Sequence, residues 1–422
     1  MDEVGVVAVV LLGYALFSRY LERTPLTVPL FFTAAGVLLG PDLLGLAEFD
    51  LAGGAALTFL ELTLVVVLFS DAARIDLGAI RRTGGTVPAR LLGIGMPLTI
   101  ALGTLAAAVL LGDLELWEGA IIAAVLAPTD AALGQAVVSS HLVPVRVRQA
   151  VNVESGLNDG LSVPFLTLFV ALAAEEAGEA LDWIGFAAQQ IGLGTLAGVV
   201  VGLAGGWAVE RATQRRLANG AFQQIAVLAL AVLAWAAADA VGGNGFIAAF
   251  VAGLATGRVT EECGTNVLDF TEDEGELLTA VVFFVFGTAV LGFLGATTLG
   301  VVVYAVLSLT LLRMLPVAVS LGGTGLRAPT IGFLAWFGPR GLASIILALV
   351  VVEEAPDLPH LDVVLATMTV TVLLSIVAHG ASARPLVRRY GRYADTLAAD
   401  APEQASAADL PVRGGMSDPM HP

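Results

Sequence analysis

The chain has 422 residues, 57% of them hydrophobic and 14% charged, with a mean hydropathy of +0.88 and a formal net charge of −17. No ordinary soluble domain approaches that hydropathy, so the chain reads as an all-α polytopic membrane protein. Its continuous apolar runs exclude a transmembrane β-barrel, whose strands alternate lipid-facing and lumen-facing residues.

A helix needs about 20 apolar residues to cross roughly 30 Å of hydrocarbon. With Pro, Gly and charges as boundaries, thirteen spans are expected, at 3–21, 25–40, 53–72, 86–111, 117–138, 146–173, 183–210, 221–240, 243–257, 275–293, 296–321, 329–352 and 361–380. Asp2 and Glu3 stand where a cleavable signal would be basic, so the first span is expected to be retained. The 48 glycines suit close helix contact in lipid.

All 20 basic residues are Arg. Arg19/Arg23, Arg74/Arg81/Arg82, Arg146/Arg148, Arg211/Arg215/Arg216, Arg258, Arg327 and Arg384/Arg388/Arg389 follow the odd-numbered spans. The positive-inside rule then puts the N-terminus outside and the C-terminus in the cytoplasm, in a multi-pass protein of the cell membrane. The acidic stretches 175–182 and 271–276 read as solvated loops. A transporter domain is expected over 1–390, and the Ala/Asp/Pro-rich segment 391–422 reads as a disordered cytoplasmic tail. The single cysteine, Cys263, allows no intramolecular disulfide or thiolate cluster and reads as an inert residue. His141 and His360 sit in short loops without partners at metal spacing, and His379 reads as a satisfied helix-end histidine.

Two spans look interrupted. The fifth contains "AVLAPTDAALG", with Pro128, Thr129 and Asp130, and the twelfth contains "LAWFGPRGLAS", with Gly338, Pro339, Arg340 and Gly341. They occupy corresponding places if spans 1–6 and 8–13 are inverted repeats, which is where a transporter's binding site is expected. Asp130, Glu154, Asp159 and Arg340 fall near the inferred midplane, and ionisable groups there usually mark ion pathways. At about 100° per residue, Ser155, Asn158, Asp159 and Ser162 share one face of the sixth span. Asp159, Ser155 and Asn158 can offer hard oxygens to an alkali cation, and the broken fifth span can add Asp130 and carbonyls near Thr129. Glu154 points about 140° away from Asp159. It is therefore expected to form a structural ion pair, with Arg340 as its partner, while Arg313 snorkels towards the surface. Asp71 and Glu61 are further candidates for the cavity.

Two carboxylates at one dry site do not comfortably both ionise, so such a group holds either a proton or a cation, and each disfavours the other. Exposed alternately to the two sides, that competition makes an exchanger. No Walker sequence offers ATP coupling, so no enzyme activity, no cofactor beyond the transported ions and no nucleic-acid partner is expected. An intramembrane aspartyl protease would need a "GxGD" string, which is absent, and a cation channel would need a filter of repeated short loops.

The strings "APTDAAL", "ESGLNDGLS" and "FGPRGLAS", with "GGNGFIAAFVAGL" and "AHG", resemble the NhaP-type sodium/proton antiporters of the monovalent cation:proton antiporter-1 family. The resemblance implies thirteen helices with two crossed broken ones, in a core bundle and a dimerisation bundle. It also implies a homodimer working by elevator-like alternating access. Electroneutral exchange of one Na+ or Li+ for one proton follows from it, with K+/H+ exchange as the alternative. In that family's pattern Asp159 is the ion- and proton-binding residue and Asn158 its companion. Asp130 with Thr129 belongs to the unwound segment, Ser155 supplies a hydroxyl ligand, and Glu154 with Arg340 forms the buried ion pair. The implied Na+ ligands are Asp159, Asp130, Ser155 and Thr129.

Overall fold

The apolar runs fold as helices, because backbone in hydrocarbon satisfies its N–H and C=O groups only within a helix or a closed barrel. A computed structural model describes residues 3–405, apart from 22–23, 25, 50, 52–53, 76–85, 113, 174–179, 219, 261–263 and 399. The expectations for Arg23, Arg81, Arg82, residues 175–179, Cys263 and residues 406–422 lie outside the described residues, whereas 180–182 and 271–276, expected in loops, fall within helices.

In chain order the helices are α1 (Glu3–Leu21), α2 (Val28–Leu39), α3 (Gly54–Ala73), α4 (Thr86–Leu110), α5 (Leu116–Val125), α6 (Ala131–Val138) and α7 (Val145–Ala173). They continue as α8 (Ala180–Gln214), α9 (Gly220–Asp239), α10 (Gly245–Val259), α11 (Gly264–Phe293), α12 (Leu299–Ser320), α13 (Ala328–Trp336), α14 (Leu342–Glu354) and α15 (Leu361–Ala394). Among the described residues, nine helices are long and apolar enough to cross a membrane, and α2, α5 and α10 are shorter apolar ones. The fifth and twelfth expected spans are each split in two, α5/α6 and α13/α14, at the Pro- and Gly-bearing strings.

Local chemistry sets several helix starts. Thr27 caps α2, Asn244 caps α10 through Ile247 N, and Glu115 with Glu118 forms a capping box at α5. Two long helices are irregular inside. α4 carries a π turn at Leu91–Gly95, just before Pro97, and α12 breaks at Thr310.

Helix contacts are densest within two sets, α2, α3 and α8–α11 on one hand and α4–α7 and α12–α15 on the other, which meet where α7 touches α3, α8 and α10, α14 touches α3 and α11, and α15 touches α2 and α11. In the first set α8 lies almost backbone to backbone on α10. A Cβ on Gly194, Gly198 or Gly202 would stand 2.5–2.6 Å from the carbonyl oxygen of Asn244, Ala248 or Ala252. Such i, i+4 spacing of small residues is how helices approach closely where lipid gives no hydrophobic drive.

The largest departure is at the C-terminus. α15 runs on to Ala394 rather than stopping near 380, a short 3₁₀ turn follows at Pro402–Gln404, and Glu403 is fully buried. The expected start of a disordered tail at 391 is therefore wrong for the described residues up to 405. Hydropathy registers the lipid-crossing part of a helix and not its polar continuation.

Candidate functional site

The two unwound strings cross, and each supplies the backbone groups that the other leaves open. Asp130 N donates to Pro339 O (2.8 Å). The Asp130 carboxylate caps both following half-helices, Oδ1 accepting from Leu133 N (3.2 Å) and Oδ2 from Leu342 N (2.8 Å). Arg340 Nη1 donates to Ala127 O (2.9 Å) and Pro128 O (3.0 Å), just past the end of α5. A negative charge thus sits at two helix N-termini and a positive one at a C-terminus, the signs that the peptide dipoles favour. Gly341 is required because a Cβ there would overlap the Asp130 carboxylate.

The oxygen-bearing face of α7 meets this crossing. Thr129 Oγ1 lies 3.0 Å from Ser155 Oγ, and Asn158 Nδ2 donates to Thr129 Oγ1 at 2.7 Å. Ser155, Asn158 and Asp159 are buried, at 3%, 2% and 7% exposure. Asn158 Oδ1 accepts no hydrogen bond among the described residues and remains available as a hard acceptor. Ser162 turns its hydroxyl back onto Asp159 O (2.7 Å), so it is committed to its own helix. Asp71 of α3 packs on the adjoining strip of α7, where a Cβ on Gly156 would be 3.7 Å from its Cβ. Together Asp159, Ser155, Thr129 and Asn158 present a carboxylate, two hydroxyls and an amide carbonyl, a donor set that suits an alkali cation or a proton. Both oxygens of Asp130 are engaged as helix caps, so the structure gives it the job of holding the crossing together.

Five sequence expectations need correction. Glu154 pairs with Arg313 and not with Arg340: Arg313 Nη1 is 2.5 Å from Glu154 Oε1, and both side chains are 3% exposed. Arg313 therefore does not snorkel. The break at Thr310 and the missing side chain at Gly338, whose Cβ would be 2.6 Å from Arg313 Nε, open the way to Glu154. Arg340 lies close enough to feel both charges. Glu61 does not join the Asp159 group; it lies beside Glu353, near Glu354 and Asp239. His360 has a carboxylate partner, its Nδ1 lying 2.8 Å from Glu118 Oε2 and its backbone N donating to Oε1 at 3.1 Å. His379 lies inside α15 rather than at a helix end, at 0% exposure.

α15 holds the crossing from behind. Ser375 Oγ accepts from Arg340 N (2.6 Å) and contacts His379 Nδ1 (3.2 Å). His379 Nε2 donates to Trp336 O (3.0 Å), the carbonyl at the end of α13, and Trp336 Nε1 donates to Ser382 Oγ (3.0 Å). The sequence signal was available: Thr367, Thr371, Ser375 and His379 recur every fourth residue in an otherwise apolar span, and all four are at 0% exposure.

Residues 7–389 match the family described as "Sodium/hydrogen exchanger, transmembrane". The chain is 26% identical over 382 residues to the K(+)/H(+) antiporter NhaP2 of Shewanella baltica (strain OS223). It is 29% identical over 377 residues to the K(+)/H(+) antiporter NhaP of Alkalimonas amylolytica. Each similarity covers 87% of this chain and 63% of the relative, so the chain spans less than two thirds of these relatives' length. Its fold is similar to that of the sodium proton antiporter MjNhaP1 from Methanocaldococcus jannaschii, with a TM-score of 0.71 at 20% identity over 90% of this chain and 98% of that one.

Proposed function

The chain belongs to the transmembrane sodium/hydrogen exchanger family, and from that premise we propose that it exchanges a monovalent alkali cation, Na+ or Li+, for a proton. The exchange is one for one, across the cell membrane. The observation that carries the reading is the buried group in which Thr129 bonds both Ser155 and Asn158, one helical turn from Asp159, with Asn158 Oδ1 left open as an acceptor.

Asp159 holds either the proton or the cation. Ser155, Thr129 and Asn158 complete the cation's oxygen shell, taking the place of the water it leaves behind. Because the two ligands compete for one carboxylate, occupancy by one requires release of the other, and alternating exposure converts the competition into exchange. In this reading α4–α7 and α12–α15 form the mobile core, the other set forms the contact of a homodimer, and the N-terminus faces outward.

A second reading, K+/H+ exchange, is favoured by the printed names of the Shewanella and Alkalimonas relatives. One experiment tests both. Purified protein in proteoliposomes under an imposed pH gradient receives Na+, Li+ or K+ in separate runs, and collapse of the gradient is followed. Loss of the gradient with Na+ and Li+ is the expected result. Collapse with K+ alone replaces the first reading by the second, and collapse with none of the three removes both.

A further inference from the structure

Glu403 lies beyond the last span, in sequence that carries no apolar stripe, and yet it is at 0% exposure. A carboxylate is buried at that depth only where donors or charge compensate it. Here Oε1 accepts from Arg327 N (2.7 Å) and from Thr330 Oγ1 (3.0 Å). Arg327 is the N-cap residue of α13 and provides no side-chain cap of its own, so the opening turn of this half-helix is capped by a residue far along the chain.

The neighbouring bonds fasten the same short segment in place. Arg146 Nη1, at the start of α7, donates to Pro402 O (2.6 Å). Gln404 Nε2 donates to Ala394 O (3.3 Å), and Thr330 Oγ1 also lies 3.0 Å from Tyr390 OH. These bonds go to α7, α13 and α15, the helices that carry Asp159, lead into Arg340 and support Arg340 from behind.

α13 is therefore fixed at both ends, by Glu403 at its first turn and by His379 at its last carbonyl. A helix of nine residues spans about 14 Å and moves as a rigid rod. Displacing its start displaces Pro339 and Arg340, and with them Asp130, Ala127 and Pro128, which those residues bond on either side of Thr129. We propose that Glu403 is a positioning residue for ion exchange: from the C-terminal segment it sets the placement of the half-helix α13, and so of Thr129 against Ser155 and Asn158. The proposal rests on the reading of Asp159 as the exchange site.

The test compares Glu403→Ala and Glu403→Gln with the unaltered full-length chain in proteoliposomes, normalised to folded protein. Glu403→Ala is expected to raise the apparent KM for the transported cation at least about threefold with little change in kcat, which is the sign of altered binding geometry. Its half-maximal activity should move to more alkaline pH, because the proton then competes more effectively. Glu403→Gln, which can still accept from Arg327 N and Thr330 Oγ1, should recover most of the KM. The rise in melting temperature on adding Na+, Li+ or K+ gives the same comparison without transport, so failure of antiport and failure of this proposal are read separately. A Glu403→Ala protein with unaltered cation KM, pH profile and cation-induced melting shift overturns the proposal. A lowered melting temperature with the folded remainder unaltered in KM also overturns it, since the role is then only structural.

Discussion

Arg313 and Glu154 form a dry ion pair between the broken helix α12 and the helix that carries Asp159, at 2.5 Å with both side chains 3% exposed. Removing one partner strands the other charge. Glu154→Gln should therefore destabilise the protein by about 3 to 5 kcal/mol, whereas the double replacement Glu154→Leu, Arg313→Met should recover most of the loss. Melting of the purified variants in one detergent checks this. A Glu154→Gln protein that melts with the unaltered chain would show that the pair does not hold α7 and α12 together.

Asp130 and Asp159 should separate under the same substitution. Asp130→Asn leaves one acceptor oxygen for two buried backbone donors, Leu133 N and Leu342 N, and orphaning one costs about 1–3 kcal/mol. Asp159→Asn removes the carboxylate proposed above to carry the proton or the cation. It should abolish exchange while melting changes little. Equal losses of stability, or full exchange in Asp159→Asn, would contradict this division of roles.

Competition at one carboxylate has a definite pH signature. As pH falls through the range where the site takes up its proton, the apparent cation KM should rise by about tenfold per pH unit with unchanged maximal rate, and it should level off at high pH. For one-for-one exchange an imposed membrane potential should leave the rate unaltered. A rate that follows the potential would require a different stoichiometry.

The glycines of the twelfth span give a steric test. Gly341→Ala pushes a methyl group into the Asp130 carboxylate and should cost both stability and exchange, because it breaks a double cap. Gly338→Ala, with its Cβ 2.6 Å from Arg313 Nε, should disturb the ion pair instead. Gly295→Ala, where nothing lies within 4 Å of the added carbon, is the control expected to behave as the unaltered chain. Transport and melting measured side by side distinguish the three.

Much of this architecture is legible in one dimension, where the physics is local. The strings around Pro128 and Gly338 mark breaks because Pro lacks a donor and Gly lacks a Cβ, and both interruptions appear where expected. The face shared by Ser155, Asn158 and Asp159 follows from helical periodicity. Periodicity also turned Glu154 away from that face but could not choose its partner. Two arginines were within reach in sequence terms, and the choice between them depends on a backbone break at Thr310 and on empty space at Gly338. Glu61 was misassigned because depth along a helix does not say which way a side chain faces. Glu403 escaped because composition averages over a segment, whereas its burial depends on one carboxylate meeting the start of a helix from another part of the chain.

The double capping at the crossing also bears on leakage. Arg340 offsets the charge of Asp130, and Arg313 that of Glu154, so with Asp159 as the proposed exchange site the charge of this set varies only with its cargo. It is the same with a proton bound as with a monovalent cation, and more negative by one unit when the carboxylate holds neither. Carrying an extra charge to the bilayer centre costs about 2.5–3.5 kcal/mol, which makes unloaded passages rarer by about two orders of magnitude. The crossing would thus act as an electrostatic ratchet against slippage: an empty carrier stalls, and one gradient is not dissipated without moving the other.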